Sequence, residues 1–305
     1  MDDAPLSKRI ILTGGRSRLA GVIRQHFTGL GAQLVSLSRS EGDTHLGLEN
    51  LFVNNLVDQA DTLFHMAWST VPISSERHVG LEWREDIPLL LKILETICAS
   101  PNRDRLHFVF FSSGGAVYGN ARNQRPSSED DPCEPIGWYG QAKLAAERLI
   151  IEYGRRHGLV YTILRISNPY GFPVPAHKPQ GIIPFILKSA REGSVLSVWG
   201  DGTARKDFLH YTDFVTALEK IIRTRAVGIF NVSCGESHTV REVISIAEGA
   251  LGKKVRTQHV PAHHWDVHDS LLDSSKIQSA LSWTPKVKLD DGIRRAASIL
   301  DPVRQ

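Results

Sequence analysis

The chain has 305 residues, of which 41% are hydrophobic and 23% charged, so it is long enough for a main domain and a smaller one. A formal net charge of +3 without a dense basic run argues against nucleic acid, and no apolar run of about 18 residues predicts a membrane span. The three cysteines form neither a disulfide framework nor a metal pattern, and no signal peptide precedes the first strand, so we expect a cytoplasmic protein.

Strand-like and helix-like runs alternate along the first half of the chain. Strands are predicted at residues 9–12, 33–37, 62–67, 108–111 and 160–166, and helices at residues 19–30, 83–99 and 139–157. This alternation predicts an α/β fold, a Rossmann-type doubly wound parallel sheet. In such a sheet the ligand crevice lies at the carboxyl ends of the strands.

The regular pattern loosens from residue 171 onward, where prolines interrupt it. We therefore predict a smaller, partly interleaved C-terminal α/β domain that binds substrate. The dinucleotide-binding domain is predicted over 1–170, with returns near 207–234 and 265–275. The substrate domain is predicted over 171–206 and 235–305.

A small-residue turn between the first strand and the first helix is typical of a phosphate loop. Backbone N–H groups of such a turn and the helix N-terminus bind a pyrophosphate. The predicted cofactor-binding residues here are Gly14, Gly15, Arg16, Ser17, Arg18, Leu19 and Ala20.

The end of the second strand bears on the choice of dinucleotide. NAD-binding proteins of this fold place an acid there, whereas this chain has Ser38 and Arg39. A hydroxyl with guanidinium groups nearby, including Arg16 and Arg18, suits a 2′-phosphate. The sequence therefore predicts NAD(P) as cofactor, with NADP(H) favoured over NAD, unless these arginines only face solvent.

Tyr139 and Lys143 are the predicted catalytic pair. Residues four apart lie on one face of a helix, so both side chains can line the crevice. A nearby ammonium would lower the pKa of the tyrosine and let it act as a general base. Ser112 and Ser113 end the preceding apolar strand, where a hydroxyl can hydrogen-bond the reacting oxygen, or only cap the backbone.

Several motifs in the same order resemble the extended short-chain dehydrogenase/reductase superfamily, in its nucleotide-sugar epimerase/dehydratase branch. The resemblance covers nearly the whole chain, and LRISNPYG with Gln180 and Gly181 is most similar to UDP-glucose 4-epimerase-like proteins of polysaccharide biosynthesis. The motifs are TGG at 13–15, HMAW at 65–68, FFSSGGAVYG at 110–119, YGQAK at 139–143, LRISNPYG at 164–171, VWGDGTARKDFLH at 198–210, FNVSCGE at 230–236 and LSWTP at 281–285.

The resemblance implies roles for individual residues. The family's catalytic Ser or Thr aligns with Gly114, which leaves Ser113 or Ser112 as its substitute. Further cofactor contacts are implied for Met66, Ala67, Trp68, Phe111 and Ile166. Substrate contacts are implied for Ser113, Gly114, Gly115, Asn168, Gly181, Ile182, Lys206 or Arg205, and His263, which stands where the family has an arginine.

The resemblance also implies the activity. A 4-epimerase of a UDP-hexose or UDP-N-acetylhexosamine is expected first. An NADPH-dependent reductase of a nucleotide-linked 4-keto-6-deoxy sugar and a catalytically impaired nucleotide-sugar-binding protein remain open. A 4,6-dehydratase is disfavoured, because Gly115 and Ala116 stand where its acid pair would be.

Two further expectations concern partners. A homodimer is expected through the helices at 83–99 and 139–157, and the substrate is expected to be a nucleotide-diphosphate sugar. No metal site is predicted, since His263, His264 and His268 lack matching carboxylate or cysteine ligands.

Overall fold

The computed structural model describes residues 5–122, 125–172 and 181–299. Gln180, part of the sequence resemblance, lies outside the described residues. The strands are β1 Arg9–Thr13, β2 Gln33–Ser38, β3 Leu46–Gly47, β4 Thr62–His65, β5 His107–Ser113, β6 Tyr161–Ile166, β7 Asn168–Tyr170, β8 Val195–Trp199, β9 Arg205–His210, β10 Gly228–Val232, β11 Ser237–Thr239 and β12 Arg256–Val260.

The helices flank these strands. They are α1 Arg18–Gly29, α2 Asn50–Val53, α3 Leu56–Gln59, α4 Pro72–Arg77, α5 Leu81–Arg84, α6 Asp86–Ala99, α7 Gly114–Val117, α8 Trp138–His157, α9 Ile182–Glu192, α10 Tyr211–Thr224, α11 Val240–Leu251, α12 Ser275–Leu281 and α13 Leu289–Ile299.

The main sheet confirms the predicted Rossmann-type architecture. It has seven strands among the described residues, in the order β10-β6-β5-β4-β1-β2-β3. Every neighbouring pair in it is parallel. The chain order reverses beside β1, between β4 and β2, so the crevice opens at the carboxyl ends of these strands.

Apolar side chains cover both faces of the sheet, which explains why its strands are nearly continuous hydrophobic runs. On one face, α1, α10 and α12 contribute to a core that includes Phe27, Phe64 and Phe214. On the other face, α6 and α8 contribute to a second core that includes Leu90, Phe108 and Ile150. The crevice residues are therefore attached to a sheet that is packed on both sides.

A smaller α/β body follows the main sheet in the chain. β9 pairs with β7 in parallel and with β11 in antiparallel fashion, and β8 pairs with β12. α9, α11 and α13 enclose its own apolar core, which includes Ile186, Val243 and Ile293. This arrangement supports the predicted interleaved second domain.

One boundary of the proposed domains differs from the sequence prediction. α12, placed in the substrate domain by its position after residue 235, packs Ile277 and Leu281 into the core of the main domain, and Trp283 joins them. The apolar face of α12 is thus buried against β10 and α10, and this burial outweighs chain order.

The single helix predicted over 83–99 is instead two helices, α5 and α6, which meet at Glu85. Pro88 explains the break. Its ring cannot donate an N–H, and it would clash with the carbonyl of Arg84 in a continuous helix. As a result Asp86 stands at the start of α6 and is only 1% exposed.

Candidate active site

The phosphate loop joins β1 to α1 and requires glycine at its first position. Gly14 has a φ of 81°, and a Cβ on it would lie 2.9 Å from the backbone N of Ala67 and the carbonyl carbon of Met66. Ala67 N–H also donates to the Thr13 hydroxyl at 3.3 Å. The loop after β4 therefore packs directly against the phosphate loop. This places Met66 and Ala67, which are predicted to contact the cofactor, next to the predicted pyrophosphate site.

Ser17 does not need the backbone of a glycine. Its φ of −70° and ψ of 151° are ordinary extended values, and its hydroxyl accepts from Ala20 N–H at 3.1 Å as the cap of α1. Arg18 follows, half-buried, and burial lowers its pKa. Among the described residues its Nη1 is buried without a hydrogen-bond partner. Leu19 packs partly against the core.

Ser38 and Arg39 are both engaged by the protein. Ser38 is buried, and its hydroxyl donates to the Ser40 carbonyl at 2.7 Å. Arg39 Nη2 pairs with Glu85 at 3.0 Å and lies 3.8 Å from Asp86. Arg16, the other arginine nearby, donates to the Ser40 hydroxyl at 3.0 Å and is exposed. Of Ser38, Arg39 and Arg16, Arg16 is the least constrained, while Arg18 keeps a guanidinium nitrogen that no described residue binds.

Ser113 and Tyr139 come together at the end of β5. The Ser113 side chain lies close enough to the Tyr139 phenol to act on its pKa. Ser112 points the other way, as strand alternation requires, and its buried hydroxyl donates to Glu147 at 2.5 Å. The prediction of Ser112 as a catalytic substitute is therefore wrong, because this hydroxyl lies in the core, and Ser113 is the candidate.

Lys143 is almost entirely buried, with 3% of its surface exposed. Its Nζ donates to the Phe111 carbonyl at 2.9 Å and lies 3.7 Å from the centroid of the Trp68 ring. Burial lowers the pKa of Lys143 to about 7, although the charges of Asp86, Glu147 and Glu82 act to raise it. Near neutral pH the amine is thus close to its titration midpoint.

The expected lowering of the Tyr139 pKa is not observed. Burial raises this pKa, the Ser113 side chain lowers it, and the charges of Asp86 and Glu82 raise it further. Lys143 Nζ lies 5.8 Å from the centroid of the tyrosine ring. Desolvation and the two carboxylates therefore outweigh the effect of Ser113 on the Tyr139 pKa.

Gly114 is explained by its neighbour Leu272. A Cβ at this position would lie 2.4 Å from Leu272 Cδ1 and 3.0 Å from the Arg165 carbonyl. The leucine side chain thus fills the space where the family has a Ser or Thr. At Gly115 a Cβ would have room, 3.7 Å from the Ser270 hydroxyl and 3.8 Å from Asn168 Nδ2.

Phe111 and Ile166 belong to the core beneath the site. Both side chains are buried, at 6% and 5% exposure. Phe111 contributes its backbone carbonyl to Lys143, while Ile166 pairs in register with Ser113. Any cofactor contact from these two residues is therefore limited to backbone or side-chain edges.

The predicted diphosphate contacts lie on β7 and β9. Asn168 Nδ2 donates to the Asp207 carbonyl at 2.8 Å. Lys206 Nζ lies 3.0 Å from Asp266 and also donates to the Val267 carbonyl. Arg205 points to the other side of the strand, where it donates to Ser237 at 2.7 and 3.1 Å. Of the two alternatives Lys206 is thus the better candidate.

An aromatic cluster lies next to Lys206, in the loop after β12 and at the end of β8. His263 stacks on Trp265 with ring centroids 4.7 Å apart, and its edge meets Trp199 at 4.5 Å. Trp265 also packs near Gly137, two residues before Tyr139. His263 is therefore held within reach of the crevice. In the residues that the structure describes, no group of three metal-ligating side chains is found.

Gly181 and Ile182 begin α9. Gly181 has a φ of 82°, a conformation that favours glycine, and is exposed. Ile182 is partly buried against the core of the smaller body. These two residues therefore belong to the smaller body, whereas Ser113 ends β5 and Tyr139 lies on α8 in the main domain.

Sequence reasoning missed Asp86, Glu82 and Leu272. The first two are buried carboxylates, at 1% and 0% exposure, whose charges act on Tyr139 and Lys143. Three acids within five positions, Glu82, Glu85 and Asp86, were the available signal. The sequence gave no signal for Leu272, because its effect depends on contact with Gly114, which lies 158 positions earlier in the chain.

The residues present fit a nicotinamide dinucleotide. The Gly14 cradle admits no Cβ, the N-terminus of α1 faces it, and Arg18 offers a buried guanidinium nitrogen that no described residue binds. The Trp68 indole N–H is likewise buried and unpartnered within the described ranges. Fold and site together define an enzyme of the Rossmann dinucleotide-binding class, with a Ser-Tyr-Lys arrangement in its crevice.

Comparisons with known proteins agree with this class. Residues 10–233 match the model of the NAD dependent epimerase/dehydratase family. The dTDP-4-dehydro-6-deoxyglucose reductase of Escherichia coli is 29% identical over 233 residues, 76% of this chain and 72% of that protein. A putative UDP-glucose 4-epimerase of Methanocaldococcus jannaschii is 31% identical over 190 residues, 62% of this chain and 61% of that protein.

A solved structure extends the likeness over the whole chain. The crystal structure of the UDP-glucose 4-epimerase of Thermus thermophilus in complex with NAD has a TM-score of 0.85 and 25% identity, covering 97% of this chain and 99% of that one. The chain belongs to the NAD dependent epimerase/dehydratase family, which confirms the predicted resemblance. None of the described helices is long and apolar enough to cross a membrane.

Proposed function

We propose that this protein is a 4-epimerase of a nucleotide-diphosphate sugar, acting on a UDP-hexose or a UDP-N-acetylhexosamine. The observation that carries the proposal is the Ser113–Tyr139 pair at the end of β5, with Lys143 Nζ 5.8 Å from the centroid of the tyrosine ring. The reaction oxidises C4 of the sugar and then reduces it on the opposite face. The 4-epimerases among the relatives and solved structures support this choice.

The chain's own groups move the proton. Tyr139 takes the proton of the C4 hydroxyl and later returns it, and Ser113 hydrogen-bonds the C4 oxygen. Because burial raises the pKa of Tyr139, loss of its proton needs positive charge nearby, and Lys143 supplies part of it. When bound, the nicotinamide cofactor supplies the acceptor and then the donor of hydride.

The substrate's diphosphate is proposed to lie between Asn168 and Lys206, with His263 near the nucleotide. Lys206 is the only basic group proposed for the diphosphate, and it is already paired with Asp266 at 3.0 Å. A diphosphate in this place competes with that carboxylate for the ammonium. Gly115 and Ser270 leave space for the sugar beside Asn168.

A reductase of a nucleotide-linked 4-keto-6-deoxy sugar is the second candidate. It uses the same tyrosine and lysine but releases its cofactor, and the Escherichia coli reductase supports it. The exposed Arg16 beside Ser38 favours NADP(H) in this alternative. The pairing of Arg39 with Glu85 weakens the same argument, although an exposed pair of this kind contributes only about 0–1 kcal/mol and a phosphate can displace it.

The decisive experiment combines cofactor identification with product analysis. The freshly purified protein is denatured, and the released nucleotide is identified by mass spectrometry. The native protein is then incubated with UDP-glucose, with UDP-N-acetylglucosamine, and with a 4-keto-6-deoxy sugar nucleotide plus NADPH or NADH, and products are followed by NMR. Tyr139→Phe serves as the matched inactive control.

Each outcome selects one candidate. Retained NAD with formation of the 4-epimer, absent in Tyr139→Phe, supports the epimerase. An empty protein that consumes NADPH only with the keto sugar establishes the reductase instead. Sugar-nucleotide binding in calorimetry without turnover of any substrate would leave the impaired binding protein as the remaining candidate.

We also propose that the protein acts in the cytoplasm as a homodimer. Cys98, Cys133 and Cys234 are unpaired, as is usual in a reducing compartment. α6 and α8 lie side by side and carry partly buried apolar residues, among them Leu91, Leu149 and Tyr153. We propose that these apolar residues of α6 and α8 pack against the same residues of a second protomer in a four-helix bundle.

A further inference from the structure

We propose that Trp68 and Asp86 are positioning residues that increase the fraction of Lys143 present in the crevice as an ammonium ion. Trp68 lies in the loop after β4, Asp86 begins α6, and Lys143 projects from α8. Trp68 contacts the amine directly, whereas Asp86 acts on it through its charge. The inference rests on the proposed function only where it gives Lys143 a part in the chemistry; the charge of the amine is a property of the protein alone.

Burial makes the charge of Lys143 expensive to maintain. The amine is 3% exposed and receives one hydrogen-bond acceptor from the main chain, the Phe111 carbonyl at 2.9 Å. An ammonium has three N–H donors, so one such acceptor leaves two donors for a ligand in the crevice. Without further compensation a lysine this deeply buried is neutral over much of the physiological range.

Trp68 covers the amine with an aromatic face. The distance of 3.7 Å from Nζ to the ring centroid is well inside the range of a cation–π contact, and Phe110 adds a second ring at 4.8 Å. Trp68 is fixed in turn by an edge-to-face contact with Phe110, with centroids 6.0 Å apart. The indole therefore excludes water from Lys143 and replaces it with a surface of negative potential.

Asp86 supplies the opposite charge. Ser69 N–H donates to both carboxylate oxygens, at 2.9 and 3.0 Å, and the Ser69 hydroxyl lies 2.6 Å from Oδ1. Burial raises the pKa of Asp86, and these donors, with the charges of Lys143 and Arg39, act against that rise and favour the ionised form. Because Ser69 directly follows Trp68, the same contacts fix the loop that carries the indole. One carboxylate thus acts on Lys143 both through its field and through the placement of Trp68.

Other charged groups around Lys143 do not replace Asp86. Glu147, on the same helix, already pairs with Arg165 at 2.7 Å. Glu82 on α5 accepts a hydrogen bond from Thr70. His65 on β4 is neutral, because burial and the charge of Lys143 lower its pKa to about 3. Tyr139 is uncharged near neutral pH, since burial raises its pKa.

The test measures the charge of Lys143 without substrate. The amine is methylated with formaldehyde and cyanoborohydride across a pH series, and labelling at Lys143 is quantified by peptide mass spectrometry; only the neutral amine reacts. The wild-type midpoint is expected at about 7. Trp68→Leu and Asp86→Asn are expected to lower it by about one pH unit, whereas Trp68→Phe, which keeps a ring, shifts it less.

Glu85→Gln is the matched control for Asp86→Asn. It removes a neighbouring carboxylate that is exposed and paired with Arg39, and it is expected to leave the midpoint in place. Asp86→Asn keeps the side-chain shape, so it tests the charge independently should Trp68→Leu fail to fold by circular dichroism. A wild-type midpoint in folded Trp68→Leu or in Asp86→Asn, or an equal shift in Trp68→Phe and Trp68→Leu, overturns the proposal.

The readout is separate from turnover. A protein that epimerised no sugar would still show these midpoints, and unchanged midpoints would leave epimerisation by Tyr139 intact. The two proposals therefore fail in different experiments.

Discussion

The reacting end of the crevice depends on the contact between two residues far apart in the chain. Leu272 fills the space at Gly114, so the hydroxyl next to Tyr139 comes from Ser113 instead. A side chain one position earlier on the strand can do this because β5 ends there and its backbone turns into α7. The hydroxyl that the family has at position 114 is therefore replaced by that of the adjacent Ser113, without a rearrangement of the fold.

Loss of the Ser113 hydroxyl is expected to lower kcat strongly. Removing one hydrogen-bond donor from a reacting oxygen costs about 10²–10³-fold in rate, so Ser113→Ala is expected to lose that much. In the Ser113→Ala background, Gly114→Ser alone clashes with Leu272 and restores nothing, whereas Gly114→Ser with Leu272→Ala restores part of the rate. These rates are measured by steady-state kinetics on the substrate that the product analysis identifies. Near wild-type turnover in Ser113→Ala would contradict the proposed role of the Ser113 hydroxyl.

The depressed pKa of Lys143 has a consequence for stability. The pKa is about 7 in the folded protein and 10.5 for the unperturbed amine, so the unfolded state binds more protons between these values. The free energy of unfolding therefore rises with pH across this window. Lys143→Met removes the titrating group, and we expect the rise to be smaller in that variant.

Urea unfolding of both proteins at pH values from about 7 to about 9.5, well below the upper end of the window, measures the difference. Comparison with Lys143→Met cancels contributions of other groups that titrate in the same range. If the free energy of unfolding changes with pH in the same way in both proteins, the pKa of Lys143 is not lowered in the folded state.

Strand β6 and helix α8 are joined by a buried ion pair beneath the site. Arg165 donates to Glu147 at 2.7 and 3.1 Å, and the two side chains are 5% and 1% exposed. Ser112 and Tyr118 hydrogen-bond the same pair. Because α8 carries Tyr139 and Lys143, this pair sets the position of the helix relative to β5 and β6.

Replacing only Glu147 or only Arg165 is expected to lower the free energy of unfolding by more than replacing both, because a single replacement leaves the other buried group without its partner. Glu147→Gln or Arg165→Met leaves an uncompensated buried group and is expected to cost about 3–5 kcal/mol of unfolding free energy. The double variant is expected to cost less than the sum of the two. A double-mutant cycle by urea unfolding measures the coupling, and strictly additive losses would contradict a direct interaction.

At the scale of the whole molecule, the main sheet and the smaller body both contribute to the proposed site. β5 and α8 carry the proposed proton-transfer groups, whereas β7 and β9 carry Asn168 and Lys206. A single residue, Ser167, separates the end of β6 from Asn168. The chain therefore passes directly from the main sheet to the part of the crevice that is proposed to bind substrate. The proposed division of labour between the two bodies follows from this connection.

The proposed dimer makes a prediction at this scale. Leu149 is partly buried on α8, and a carboxylate there would be buried unpaired in a four-helix contact. Leu149→Glu is expected to convert a dimer into a monomer in light scattering. Gln258→Glu, on exposed β12, introduces the same charge elsewhere and is expected to remain dimeric. A monomeric mass for the wild-type protein would contradict the proposal.

Much of the main domain followed from local pattern. Fully apolar runs such as 108–111 predicted strands, and helical spacing predicted α8 to within one residue at its start. The spacing of Tyr139 and Lys143 also placed them on one helix face. Such features depend on residues close together in the sequence, where periodicity and turn chemistry carry the information.

What local pattern did not determine depends on contacts between distant segments. Periodicity over 83–99 did not predict that Asp86 is buried and acts on the pKa of Lys143, and the Ser-Ser pair did not show which hydroxyl faces the crevice. The lowered pKa of Lys143, the raised pKa of Tyr139 and the filled space at Gly114 all arise from burial among several elements. Desolvation and close packing are properties of the assembled core, so only the tertiary structure decided them, while the order of strands, helices and motifs was already determined by the sequence.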